Sequence, residues 1–143
     1  MIKKSLLKAA NTTLKQCLGL INIEKLLIVA NTPQLSIAEA LLHVGNTISD
    51  DVKLIVYPSG KMNGEEPPKW IADMMMDADV IVAATEMSIS HTEARRNSSK
   101  IRKSRIASMP GITEEIFIRG MAADYDEIEI LSKKLKPYFD NAK

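Results

Sequence analysis

Four short runs rich in Ile and Val constrain this chain more than any other feature. They are "EKLLIVA" near Glu24, "VKLIVY" near Val52, "DVIVAA" near Asp79 and "RIASM" near Arg105. They do not alternate cleanly between apolar and polar residues, which is the pattern of parallel strands covered by helices on both faces. Amphipathic stretches separate them. Leu6, Leu7, Ala10, Leu14, Cys17 and Leu18 mark a first helix that Gly19 can end. The same stripe places Cys17 in the core. Ile37, Ala38, Leu41 and Leu42 mark a second helix, with Ser36 and Glu39 spaced as a capping box.

Pro67 and Pro68 open a third helix through Trp70, Ile71, Met74 and Met75. The run Met74 to Met76 then holds at most two core residues and one at the surface. A weakly apolar helix follows from about His91 to Arg102. Thr113 can cap a short helix, with Glu114 and Glu115 beside its positive end. A last helix spans about Asp124 to Phe139. Strand and helix alternate throughout, so the fold class is α/β: a three-layer sandwich with a mostly parallel four-stranded, flavodoxin- or Rossmann-like sheet. At 143 residues, with no repeat or linker, the chain reads as a single domain, 1–143.

Composition narrows the function classes. The formal net charge is +1, so no global field recruits nucleic acid or an anionic membrane. One cysteine excludes an internal disulfide and suits a reducing cytoplasm. The first residues imitate a signal peptide, but Lys8, Asn11 and Lys15 break the apolar region. No apolar run reaches the length of a membrane span. A cytoplasmic location is the expectation.

In an open α/β sheet, ligands bind beyond the carboxyl ends of the strands. That rim collects "NTPQ" after the first strand, the Pro58 to Pro68 loop after the second, "TEMSISHT" after the third and "PGIT" after the fourth. Within it, "SHTE" reads as a capping box, with Ser90 as N-cap and Glu93 reaching back. His91 would then stand at the first helical position, where a neutral imidazole facing a cleft could accept a proton, a hydrogen bond or a metal. It could equally be an exposed polar residue at a helix start. Ser88, Thr92 and Arg95 lie near enough to line the same opening. Arg95 could hold a carboxylate bidentately, although taken alone it reads as a solvated arginine.

Other candidates are weaker. His43 falls near the end of the second helix, where a cation is welcome, so the structural reading is the better one. "ADYDEIE" is better explained as an acidic helix start than as a calcium site. Two histidines and one cysteine, with neither HExxH nor CxxC, assemble no metal site. The phosphate-binding and nucleophile-elbow glycine motifs are absent as well. Arg96, Lys100 and Lys103 recur at helical spacing within a basic cluster that also holds Arg95, Arg102 and Arg105. Such a stripe could meet phosphates. No aromatic is interleaved for base stacking, so a solvated or interfacial face is the better reading.

Taken together, "GEEPP", "SISHTEAR" and "IASMPGITEEIFIRG" resemble the N-terminal part of the aminopeptidase T / leucyl aminopeptidase family of metallo-aminopeptidases. The resemblance spans nearly the whole chain in order. It falls on Ser88, His91, Thr92 and Arg95, then on Met109, Pro110, Gly111, Ile112 and Thr113. It implies an N-terminal α/β domain of a longer, two-domain protein. The C-terminal catalytic domain would carry a divalent metal pair (zinc, cobalt or manganese) that activates water for hydrolysis of the first peptide bond. No cofactor is expected in this chain itself, which alone should be inactive. Some relatives are similar to ring-opening dioxygenases of hydroxypyridines.

The expectation is a domain whose rim, from His91 to Arg95 with "PGIT", walls an active-site cleft or a subunit contact in a homo-oligomer, dimeric in the simplest case. The alternatives are a stand-alone small-ligand or regulatory module using the same rim, and a nucleic-acid binder using the basic helix.

Overall fold

A computed structural model describes residues 2–142. The sheet has four parallel strands: β1 (Lys25–Ala30), β2 (Asp51–Val56), β3 (Val80–Ala84) and β4 (Arg105–Ser108), in the order β2-β1-β3-β4. All four coincide with the Ile/Val-rich runs. The helices are α1 (Lys4–Asn11), α2 (Leu35–Gly45), α3 (Lys69–Asp77), α4 (Glu93–Asn97), α5 (Glu114–Gly120) and α6 (Tyr125–Asp140). π-helical stretches extend α1 over Thr12–Cys17 and α4 over Ser98–Arg102, and a 3₁₀ turn, Thr32–Gln34, leads into α2.

The two-residue period of a strand sorts its side chains into two cores. Leu26, Ile28, Ala30, Val80 and Val82 pack with α1, α2 and Phe117 of α5 on one face. Leu27, Val29, Ile55, Ile81 and Ala83 pack with Ile71 and Met75 of α3 and Ala94 of α4 on the other. A three-layer α/β sandwich results, as the sequence implied. The central strands β1 and β3 are continuously apolar because both of their faces are covered, while the edge strands β2 and β4 are only partly buried.

Local details depart from the expectations. Cys17 is exposed, not in the core. The π-helical stretch closes its hydrogen bonds over five residues instead of four, which turns Cys17 out of the stripe while Leu14 and Leu18 stay in the core. Gly19 does end this helix, in the left-handed region at φ 57°. Ser36 is no N-cap: the 3₁₀ turn after Pro33 runs into α2, which therefore begins at Leu35 without a side-chain cap. The Ser36 hydroxyl turns instead to Glu114, whose carboxyl is held below the usual range chiefly by Lys3 and then by Ser36. Trp70 is not core but 53% exposed, while Met75 is fully buried between the partly buried Met74 and Met76. Thr113 caps α5 by accepting from the Ile116 amide, and Asp124 caps α6.

The amino ends of the strands are closed by ion pairs. Arg105 donates to Glu24 and to the Leu18 carbonyl, Lys25 pairs with Asp77, and Arg102 pairs with Asp79. Two members of the basic cluster are thus spent on the edge opposite the candidate site. Among the described residues no helix is long and apolar enough to cross a membrane.

Candidate functional site at the carboxyl rim

The chain leaves β1 toward β2 on one side and reaches β3 on the other, so the order reverses between β1 and β3. A doubly wound sheet opens its ligand crevice at such a point. Here Asn31 fills it. Its side chain, 1% exposed, donates to the Tyr57 carbonyl after β2 at 2.8 Å and accepts from the Glu86 amide after β3 at 2.7 Å. Its own amide donates to the Ala84 carbonyl. One residue therefore ties the ends of three strands. The sequence reading placed "NTPQ" on the rim without singling out Asn31; a fully apolar strand ending directly on an amide side chain was the available signal.

The third rim segment holds the polar run. Its helix starts later than "SHTE" suggested. Thr92, not Ser90, is the N-cap: its hydroxyl accepts from the Arg95 amide at 3.2 Å and donates to the Ile89 carbonyl at 2.7 Å. Ser90 is drawn away by Ser108 of β4, the two hydroxyls standing 2.8 Å apart. Glu93 does not reach back either. The N-terminal amides of Glu93 and Ala94 instead donate to the two carboxylate oxygens of Glu66, from the "GEEPP" loop. A carboxylate beside the positive end of a helix is favourable. The loop is fastened a second time at Ser88, whose amide donates to Asn63 Oδ1 and whose carbonyl accepts from the Gly64 amide.

The fourth segment joins the third. The Met109 amide donates to the Ala83 carbonyl, and the Gly111 amide to the Thr85 carbonyl, each at 2.8 Å. Gly111 adopts φ 63°, a left-handed turn open to glycine without strain. Met109 and Ile112 pack partly buried against the α1/α2 core. "SISHTEAR" and "IASMPGIT", separated in sequence, thus meet at Ser90 and Ser108, while the turn after β4 bonds to the end of β3.

Most of the predicted site residues are consumed in building this rim. Thr92 and Thr113 cap helices, Ser88 latches the loop, and Met109 packs. His91 precedes the N-cap of α4, outside the helix, and is exposed. Arg95 is half-buried, with an Nε that is shielded from solvent and has no hydrogen-bond partner among the described residues.

A cleft of about 300 Å³ opens between the second and third rim loops, lined by Tyr57, Met62, Glu65, Glu66, Met87 and Ser88 among others. Burial raises the Tyr57 phenol above its ordinary value, so it is a neutral hydrogen-bonding group at any physiological pH. Ser88 alone of the predicted site residues lines this cleft. Among the described residues, no group of three or more His, Cys, Asp or Glu side chains is placed to hold a metal ion. The basic stripe is also less regular than its spacing suggested: Lys103 lies beyond the helix, at φ 66°, and the π-helical stretch breaks the phase between Arg96 and Lys100.

No protein-family model matches the chain, and no curated protein matches it. Among solved structures the fold is similar to that of wild-type AmpT from Thermus thermophilus, with a TM-score of 0.54 and 12% sequence identity over 85% of this chain. The chain spans 42% of the length of that protein.

Proposed function

We propose that this chain is the N-terminal α/β domain of an aminopeptidase-like metalloprotein and that its carboxyl rim walls the cleft above a catalytic centre carried by a second domain. The observation that carries this reading is the junction of the two motifs. Ser90 meets Ser108, Gly111 meets Thr85, and the resulting surface carries an exposed His91 and a half-buried Arg95. The fold likeness to AmpT, over less than half of that protein, supports the same reading.

The residues of this chain do not fit a metal pair, since no ligand cluster exists among those described. In this reading the divalent metal belongs to the second domain. The role of this chain is to bind, orient and shield: Arg95 has the guanidinium geometry to fix a carboxylate, and His91 can donate or accept at the open edge of the wall.

The test compares the 143-residue chain with the native polypeptide purified from its source, using leucine p-nitroanilide with zinc, cobalt or manganese. Metal-dependent turnover is expected from the native polypeptide and not from the chain. Turnover by the chain alone, or by neither, overturns the proposal.

A second reading, a small-ligand module, is favoured by the cleft beside Tyr57 and Glu65. It calls for a ligand that raises the melting temperature of the isolated chain and loses that effect in Tyr57→Ala.

A further inference from the structure

The cleft between the second and third rim loops has a composition that selects among ligands. Asn31 ties together the two loops that wall it, through the Tyr57 carbonyl and the Glu86 amide. The volume is about 300 Å³. An apolar cavity of roughly 150 Å³ holds one benzene, so a ligand of about a dozen non-hydrogen atoms fits this one. Met62, Pro68, Met87 and Ile89 give it apolar walls, and the half-buried Tyr57 adds an aromatic ring.

Its charged lining groups are two carboxylates, Glu65 and Glu66, and no lysine, arginine or histidine lines it. The two acids are not equivalent. Glu66 spends both oxygens on the Glu93 and Ala94 amides, so its charge is answered by the positive end of α4. Glu65 commits only Oε2, to the Lys61 amide, and its Oε1 accepts no hydrogen bond among the described residues. The Glu65 charge is felt across the cleft: burial chiefly, with that charge adding to it, raises the Tyr57 phenol.

Such a wall discriminates by charge. An organic anion would meet carboxylates with no lysine or arginine to receive it. A neutral apolar molecule would fill the space and leave Glu65 unanswered. A hard metal ion needs about six oxygens, and no group of three acidic or metal-ligating side chains stands together among the described residues. An ammonium on an apolar body suits every part of the lining. Its N–H can donate a charge-assisted bond to Glu65 Oε1, its charge is welcome beside the Tyr57 ring, and its body can lie against the adaptable thioethers of Met62 and Met87.

We infer that this cleft binds a small organic ammonium, a primary amine carried on an aromatic or branched aliphatic body. The inference rests on the reading of the cleft as a small-ligand site and adds the chemistry of its occupant. It does not depend on a catalytic second domain.

The test is a titration of the 143-residue chain, labelled with ¹³C at its methionine methyls, with 2-phenylethylamine at neutral pH. A ligand of this size is expected to bind with Kd on the order of a millimolar. The Met62 and Met87 methyl signals should move, and that of Met121, packed against the core on the other face of the sheet, should not. The uncharged 2-phenylethanol and the anion 3-phenylpropionate should each bind at least about tenfold more weakly, the difference made by one charge-assisted contact. Glu65→Gln, which keeps an acceptor for the Lys61 amide, should cost the amine about tenfold and leave 2-phenylethanol unchanged. Tyr57→Phe should retain the amine and Tyr57→Ala lose it, with the melting temperature of each variant measured alongside. Equal binding of amine and alcohol, or an amine indifferent to Glu65→Gln, overturns the inference and leaves the small-ligand reading standing. Shifts at Met121 instead of Met62 and Met87 also overturn it. No binding of any of the three probes sinks both.

Discussion

Asn31 does at the scale of one residue what usually takes a loop. Its buried amide satisfies a carbonyl at the end of β2 and an amide beyond β3, through bonds that are themselves partly buried. Truncation leaves both partly buried partners unpaired, and an orphaned group costs about 1–3 kcal/mol when water cannot replace the lost bond. Asn31→Ala is therefore expected to lower stability by about 2–4 kcal/mol in urea denaturation, against less than about 0.5 kcal/mol for the exposed neighbour variant Thr32→Ala. Equal, small effects would mean that the three strand ends are held by the ladder alone. At the opposite edge, Arg105 holds the Glu24 carboxyl below the usual carboxylate range through its hydrogen bond. A carboxyl lowered in the folded state adds stability that is fully present above its unfolded value, 4.5 here, and that is lost as pH falls through the folded value. Arg105→Ala should cost about 1 kcal/mol at neutral pH. It should also flatten the loss of stability below about pH 4.5 relative to wild type. Parallel acid limbs in the two proteins would contradict the pairing.

At the scale of elements, α4 separates what sequence can show from what only packing decides. The spacing of "SHTE" is a correct signal that a helix begins there, but it cannot reveal that Ser108 of a later strand stands ready to bond Ser90. With Ser90 taken, Thr92 becomes the cap, and Glu66, distant in sequence, replaces Glu93 at the helix amides. Thr92→Ala is accordingly expected to cost about 1 kcal/mol, near the middle of the range for caps, and Ser90→Ala less. Glu66→Ala should loosen the Pro58 to Pro68 loop, read as faster amide exchange at Gly64 and Ser88. The reverse order for Ser90 and Thr92 would restore the simpler capping box. The same contrast recurs elsewhere. The central strands were legible because burial on both faces leaves an unbroken apolar run. Cys17 and Ser36 were not, because a π-helical stretch and a 3₁₀ turn shift the phase without a compositional mark. The rim itself was legible as a location. Which of its residues are structural was not, since that depends on partners 15 to 30 residues away.

For the whole molecule, the sheet, the two cores and the amino-edge ion pairs form the scaffold, while two surfaces are open: the rim at His91 and Arg95, and the apolar stripe on α6. The central claim concerns the first. If the rim walls a catalytic cleft, its open residues should matter to turnover and hardly to folding. The decisive measurement is kcat/KM for leucine p-nitroanilide, with the melting temperature alongside, in the native polypeptide and its His91→Ala and Arg95→Lys variants. The account expects kcat/KM to fall on the order of a hundredfold, as when a positioning contact is lost. Melting temperatures should stay within about 2 °C of wild type. Unchanged kcat/KM in both variants would contradict it, leaving "SISHTEAR" as a helix start and a loop latch and nothing more.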